Sequence, residues 1–168
     1  QQLGAVLVHP YEDPNVMAGQ GTAALELQHA VPGLDAVIAP VGGGGLISGT
    51  AIALDPVDIP LYGVEPEGAA DTIASLAAAE RITHIVPNTL CDGLRAVVGV
   101  PNFAIIERHV LQVLTVSDAQ CLAAQALVAE HMKMVIEPSS ATVLAAVLAY
   151  PELFKGKRVG LIVTGGNV

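Results

Sequence analysis

The chain has 168 residues, of which 52% are hydrophobic and 14% are charged. This composition fits a single folded domain over residues 1–168 and excludes a disordered chain. A net charge of −9 argues against binding to nucleic acid or to an anionic membrane. No apolar run approaches the roughly 18 residues of a membrane span, so a cytoplasmic protein is expected.

Short runs rich in β-branched residues alternate with longer helical patterns along the chain. The runs predict strands at residues 5–8, 35–41, 61–65, 111–116 and 158–164. Helices are predicted at residues 15–31, 47–54, 69–79, 117–134 and 139–149, and residues 80–94 are expected to form an irregular connection. Asn15 and Ser117 are the expected N-caps of two of these helices. The alternation predicts an α/β fold with an open parallel sheet covered by helices on both faces.

Four consecutive glycines, Gly42, Gly43, Gly44 and Gly45, lie where the second predicted strand turns into a helix. Glycine allows positive φ and a close approach of the backbone to a ligand. The free N–H groups at a helix start, with the helix dipole behind them, attract anions. This segment predicts a phosphate-binding site, although glycines also serve in purely structural turns.

A dinucleotide site is the main alternative for these glycines. Glu65 follows them by about twenty residues, at the end of the next predicted strand, where an acid could bind a ribose. However, the segment does not contain the complete Gly-x-Gly-x-x-Gly pattern. Contiguous glycines fit a compact phosphate monoester better, and pyridoxal phosphate is a cofactor with such a group.

Seven separate segments together resemble one known family, the fold-type II pyridoxal-phosphate enzymes of the serine racemase and serine/threonine dehydratase group. They are residues 9–14, 18–22, 40–46, 63–66, 91–94, 136–139 and 164–167, and they occur in the family's order. The resemblance covers essentially the whole chain, and it begins about halfway along a typical family member.

Family members hold pyridoxal phosphate as a Schiff base on a lysine within a Ser-Phe-Lys-x-Arg-Gly-Ala type motif. This motif is not found here, and the only lysines are Lys133, Lys155 and Lys157, all in positions typical of a solvated surface. We therefore expect no catalytic residue in this chain. We also expect a missing N-terminal half that carries the lysine.

The resemblance implies a cofactor site with contributions from several segments. The cofactor-binding residues that it implies are Gly42, Gly43, Gly44, Gly45, Asp92, Gly93, Glu137 and Thr164. The glycines would bind the phosphate, Asp92 and Gly93 would lie beside the ring O3′, and the Thr164 hydroxyl would face the pyridine nitrogen. A hydroxyl at that position tolerates a neutral ring. Two simpler interpretations remain, a plain strand end for Thr164 and a solvent-facing helix start for Glu137.

A second implied site is a divalent cation held by the Glu65 and Asp71 carboxylates and the Ala69 carbonyl. Oxygen ligands of this kind suit Mg²⁺ or Ca²⁺. Alternatively, Asp71 merely favours the N-terminus of a helix.

The function implied by the resemblance is that of a pyridoxal-phosphate-dependent dehydratase (ammonia-lyase) or racemase. Its substrate would be serine, threonine or a related β-hydroxy amino acid, and the enzyme would be a homodimer. The alternative is a non-catalytic α/β module that binds a phosphate or a nucleotide.

Overall fold

The computed structural model describes residues 4–168. The strands are β1 (Ala36–Pro40), β2 (Leu61–Pro66), β3 (Gln112–Val116) and β4 (Val159–Leu161). The helices are α1 (Pro14–Ala30), α2 (Gly45–Leu54), α3 (Asp71–Ala78), α4 (Val100–His109), α5 (Asp118–Leu127), α6 (Pro138–Ala149) and α7 (Pro151–Phe154). Single 3₁₀ turns lie at Asp55–Val57, Glu67–Ala69 and Asp92–Leu94, and a π-helical turn lies at Val128–Met132.

The strands form one parallel sheet in the order β3-β2-β1-β4. In its register, Val37 of β1 lies between Leu61 of β2 and Gly160 of β4. The chain moves from β1 outward through β2 and β3, and then returns to the other side of β1 for β4. This reversal leaves a crevice outside the carboxyl ends of β1 and β4, where open α/β sheets bind ligands.

Both faces of the sheet are covered by helices, which confirms the predicted architecture. Ile38 and Leu114 pack with the buried residues of α5 and α6 on one face. Val37 and Val113 pack with α1, α2 and α4 on the other. Every residue of β1 and β2 is buried, which explains why these strands are continuous apolar runs rather than alternating ones.

The predicted strand at residues 5–8 is wrong. These residues have no regular secondary structure, and Val6 and Leu7 are 86% and 87% exposed. Strand-like composition does not supply a hydrogen-bonding neighbour, and no strand within residues 4–168 pairs with this segment.

Several helix boundaries also differ from the prediction. Helix α1 is capped by the Asp13 side chain, which accepts from the Asn15 N–H, so Asn15 is not the N-cap. The α-helix predicted through residue 134 ends at Leu127, because residues 129–135 are all exposed and present no face to the core. Helix α4 was not predicted, although Pro101 in its first turn is a common start signal.

Candidate functional site

The glycine segment forms the turn from β1 into α2. Gly44 is the N-cap of α2 with a φ of +94°, a left-handed conformation that favours glycine, and no side chain caps the helix. Within the described residues, the N–H groups of Gly42, Gly43, Gly44 and Gly45 donate to no protein acceptor. Unpaired N–H groups at a helix start can bind an anion, so the turn has the donors that a phosphate needs.

These glycines are also required by close packing. A Cβ atom on Gly43 would overlap the ring of Tyr11, and one on Gly45 would lie 3.0 Å from the Tyr11 Cα. A Cβ on Gly44 would lie 2.7 Å from the Asn102 Cβ. Any larger residue at these positions would displace the neighbouring segments and move the N–H groups.

The turn opens onto a cavity of about 290 Å³ at the carboxyl ends of the strands. It is lined by Pro10, Tyr11, Gln20, Pro40, Gly42, Gly43, Gly44, Gly45, Leu46, Gly93, Leu94, Glu137, Ser139 and Thr164. The structure therefore brings together the predicted cofactor-binding residues except Asp92, which lies next to Gly93. The cavity is large enough for a cofactor of modest size.

Glu137 is half-buried and lies across the cavity from the glycine turn, so it is not the plain solvent-facing acid of the simpler interpretation. Its Oε2 accepts from the Asn167 N–H at 3.1 Å. The Asn167 side-chain amide donates to Asp92 Oδ2 at 2.9 Å. The Gly93 N–H donates to Ser139 Oγ at 3.1 Å. These bonds tie the segment around residue 92 to the start of α6 and to the end of the chain.

Thr164 lies beyond the end of β4, and its side chain lines the cavity. Its hydroxyl lies 2.7 Å from the hydroxyl of Ser140 in the first turn of α6. The Ser140 hydroxyl also donates to the Gly165 carbonyl at 2.9 Å. The Thr164 side chain is therefore held beside the cavity by its contact with Ser140 of α6.

Sequence reasoning missed Pro10, Tyr11, Gln20 and Ser139 as cavity residues. All four belong to the family-like segments 9–14, 18–22 and 136–139, which were the available signal. Residues 9–13 are held in place from α4. The Asn102 side-chain amide donates to the Tyr11 carbonyl at 2.9 Å, and the Val100 N–H donates to Glu12 Oε1 at 2.8 Å.

The second predicted site lies at the end of β2. Glu65 is fully buried, and its two carboxylate oxygens accept from the N–H groups of Thr72 and Ile73, each at 3.0 Å. This capping explains why α3 begins at Asp71 rather than at residue 69. Both Glu65 oxygens are thus hydrogen-bonded to the first turn of α3.

Asp71 is also buried, and its Oδ2 accepts from the Val98 N–H at 2.8 Å. Its Oδ1 has no hydrogen-bond partner, and in the described part of the chain no N–H donates to the Ala69 carbonyl. Burial raises the pKa of Glu65 to about 7, and burial also raises the pKa of Asp71. Two buried carboxylates and a free carbonyl oxygen are hard donors of the kind that Mg²⁺ and Ca²⁺ take. Across residues 4–168, no group of three or more His, Cys, Asp or Glu side chains is placed to hold a metal ion.

None of the residues that line the cavity is a lysine. Lys133 is exposed, and its Nζ donates to the Glu130 carbonyl at 2.6 Å. Lys155 and Lys157 are exposed on the turn before β4.

Of the helices described, none is long and apolar enough to cross a lipid bilayer.

The chain is similar to known proteins in both sequence and structure. The chain is 47% identical to the β-hydroxyaspartate dehydratase of Paracoccus denitrificans (strain Pd 1222), covering 99% of this chain and 54% of that protein. It is also 47% identical to the serine racemase of Dictyostelium discoideum, covering 100% of this chain and 54% of that protein. The structure of maize serine racemase superposes with a TM-score of 0.95 at 39% identity, covering 99% of this chain and 55% of that one.

The chain thus spans about half the length of the curated relatives it matches. The family model described as pyridoxal-phosphate dependent enzyme matches residues 1–165. The chain belongs to the family of pyridoxal-phosphate dependent enzymes.

Proposed function

We propose that this chain is the cofactor-phosphate and metal-binding portion of a pyridoxal-phosphate-dependent dehydratase (ammonia-lyase) or racemase. Its substrate would be serine, threonine or a related β-hydroxy amino acid. The observation that carries the proposal is the glycine turn, which has four unpaired N–H groups and lines the same cavity as Gly93, Glu137 and Thr164. The similar proteins, a hydroxyaspartate dehydratase and two serine racemases, support this reaction class.

Gly42, Gly43, Gly44 and Gly45 would bind the cofactor phosphate through their N–H groups, with the dipole of α2 behind them. The net charge of −9 makes this local arrangement necessary, because the overall field of the chain repels an anion. Tyr11 packs on the turn and would keep it in the binding conformation.

The remaining cavity residues would bind the ring of the cofactor. Thr164 would place its hydroxyl at the ring nitrogen, Asp92 and Gly93 would lie beside O3′, and Glu137 would lie near the ring. When bound, pyridoxal phosphate supplies the electron sink that allows a substrate α-proton to leave. The half-buried Glu137 and the wall around Gly93 would limit access of water to that side.

Glu65, Asp71 and the Ala69 carbonyl would bind Mg²⁺ or Ca²⁺. The unpartnered Oδ1 of Asp71 and the free Ala69 carbonyl support this assignment, because buried acceptors without donors are costly unless a cation or water satisfies them. The site lies at the end of β2 and under α3, so a cation there would strengthen the packing of α3 against the sheet.

The rest of the enzyme follows from the same proposal. Residues 1–168 would be a single α/β portion of the cofactor-binding domain, and the lysine that bonds the cofactor would lie outside them. None of Lys133, Lys155 and Lys157 reaches the cavity, which supports this division. We further propose a homodimer located in the cytoplasm.

The test uses the natural full-length protein loaded with pyridoxal phosphate. We expect it to release a 2-oxo acid and ammonia from serine, threonine or 3-hydroxyaspartate, or to convert L-serine into D-serine. Cofactor binding is followed by absorbance, and turnover by the 2-oxo acid and by chiral chromatography. Binding of a nucleotide or phosphate without turnover of any of these substrates would favour the non-catalytic module instead.

A matched pair of variants links the activity to the glycine turn. Gly43→Ala should weaken cofactor binding by at least about tenfold, because its Cβ would overlap the Tyr11 ring and shift the N–H groups. Gly19→Ala is the control, since a Cβ on this exposed glycine of α1 meets nothing within 4 Å. Equal cofactor affinity in both variants would contradict the proposed phosphate site.

A further inference from the structure

Two hydrogen bonds in series join the Arg81 guanidinium to the glycine turn. Arg81 Nη1 donates to the Val98 carbonyl at 2.9 Å. The Gly99 N–H donates to the Gly43 carbonyl at 3.0 Å. The Val98 carbonyl and the Gly99 N–H belong to one peptide group, and the Gly43 carbonyl and the Gly44 N–H belong to another. The path from Arg81 therefore ends at an N–H group of the turn.

The middle of this path is buried and fixed in position. Val98 is 0% exposed, and Gly99 is buried at the N-cap of α4. The Val98 N–H, in the preceding peptide group, donates to Asp71 Oδ2 at 2.8 Å. Val98 also packs on the turn, since a Cβ on Gly44 would lie 3.3 Å from Val98 Cγ2. Water therefore has little access to the peptide group that links Arg81 to the turn.

A buried chain of hydrogen bonds transmits polarisation from one group to the next. A cation at the carbonyl oxygen of a peptide group makes the N–H of that group a stronger donor, and this N–H polarises the next carbonyl in turn. The positive charge of Arg81 therefore strengthens the Gly44 N–H as a donor. Within the described residues this N–H has no protein acceptor, so it is free to bind a ligand.

The cavity has no cationic side chain of its own. Among the described residues that line it, none is a lysine or an arginine, and Glu137 contributes an acid. The chain as a whole carries a net charge of −9. A phosphate at the turn would otherwise meet only neutral N–H groups and the dipole of α2. A positive charge that acts through peptide groups offsets this unfavourable field.

We propose that Arg81 is a positioning residue for a phosphate, and that its charge acts on the glycine turn through the peptide groups Val98–Gly99 and Gly43–Gly44. The inference rests on the proposed function, which places the cofactor phosphate at this turn. Arg81 strengthens the phosphate-binding N–H groups without touching the ligand.

The competing explanation is that Arg81 only fastens the irregular connection before α4. In that case any N–H donor at position 81 would serve, and phosphate affinity would not follow the charge of the side chain. Arg81 makes its bond to Val98 with a single nitrogen, so the fork of the guanidinium is not required there. A lysine can therefore restore the charge, although it lacks that fork.

The experiment uses the natural full-length protein after removal of pyridoxal phosphate, at one fixed Mg²⁺ concentration because Asp71 bonds to the same segment. The probe is pyridoxine 5′-phosphate, which has the ring and the phosphate but no aldehyde to react with a lysine. Its Kd is measured by fluorescence for the wild type, Arg81→Gln and Arg81→Lys. Glutamine keeps an N–H donor but removes the charge, whereas lysine keeps the charge.

Arg95→Gln is the matched control. Arg95 is a second arginine near the cavity, and its Nε and Nη2 donate to the Thr89 carbonyl at 3.2 and 2.6 Å. The N–H of that peptide group belongs to Leu90 and donates to Asp118 Oδ2, so this path leads to α5 rather than to the glycine turn. Arg95→Gln changes the net charge by the same amount as Arg81→Gln.

We expect Arg81→Gln to raise the Kd about three- to tenfold, which is the effect of one hydrogen bond. Arg81→Lys and Arg95→Gln should stay within about twofold of the wild type. Thermal unfolding of each variant checks the fold. Arg81→Met, which is also neutral, replaces Arg81→Gln if the glutamine variant does not fold.

Wild-type affinity in Arg81→Gln would overturn the inference while leaving the proposed function in place. An equal loss in Arg81→Lys or in Arg95→Gln would also overturn it, because affinity would then not depend on a charge at the start of this path. Failure of the wild type to bind pyridoxine 5′-phosphate would overturn the proposed function as well.

Discussion

Gly21 of α1 and Gly49 of α2 face each other so closely that a Cβ on Gly21 would lie 2.6 Å from the Gly49 carbonyl oxygen. A Cβ on Gly49 would in turn overlap the Met17 carbonyl. The two helices therefore cross backbone to backbone. This contact positions α1 against the helix whose N-terminus forms the glycine turn.

We expect Gly21→Ala to lower the free energy of unfolding by about 1–3 kcal/mol, because the added methyl forces the two helices apart. Chemical denaturation of the purified protein measures the change. Gly19→Ala, two residues earlier on the same helix, has open space around its Cβ and should be neutral or stabilise by up to about 1 kcal/mol. If the two substitutions had the same effect, the close crossing would not determine stability.

Asn102 joins three parts of the structure around the cavity. Its amide nitrogen lies 2.9 Å from the Tyr11 carbonyl, 3.2 Å from Ser48 Oγ and 3.3 Å from Met17 Sδ. Asn102→Ala should lower the free energy of unfolding by about 1–3 kcal/mol, because buried acceptors lose their donor. Asn102→Asp should cost more at neutral pH, since it places a carboxylate against the same acceptors. Thermal unfolding ranks the variants, and an aspartate variant as stable as the wild type would contradict this role.

Helix α5 begins with a capping box. The Ser117 hydroxyl accepts from the Gln120 N–H at 3.3 Å, and the Gln120 side chain accepts from the Ser117 N–H at 2.8 Å. Ser117→Ala should cost about 1 kcal/mol in the free energy of unfolding. Ser117→Thr keeps the hydroxyl and should stay close to the wild type. A loss of equal size in the threonine variant would show that the hydroxyl is not what stabilises the helix.

The proposed cation site predicts a metal-dependent stability. Mg²⁺ or Ca²⁺ at about 100 times its Kd should stabilise the protein by about 2.7 kcal/mol, and chelation should reverse the effect. Asp71→Asn should abolish the response, because a neutral amide is a much weaker ligand for a hard cation. Glu67→Gln removes a nearby but exposed carboxylate and should respond like the wild type. Thermal unfolding with and without the cation measures this, and a full response in Asp71→Asn would rule out the site.

Much of the fold could be predicted from the sequence because its signals are local. The apolar runs around Ile38, Tyr62, Leu114 and Gly160 all became strands of the predicted parallel sheet. The glycine turn was predictable as the turn from a strand into a helix, since its conformation depends on adjacent residues. The strand predicted at residues 5–8 failed for the opposite reason, because a strand exists only where a neighbour can pair with it.

The sequence by itself determined the alternation of strands and helices, the glycine turn and, through its motifs, the family of the chain. Only the tertiary structure decided that Tyr11 and Ser139 line the same cavity as Thr164, and that both Glu65 oxygens cap α3. It also decided the contact between Ser140 and Thr164. Periodicity and capping act over a few residues and can be read along the chain. Contacts between distant residues depend on how the helices pack on the sheet, which no local pattern encodes.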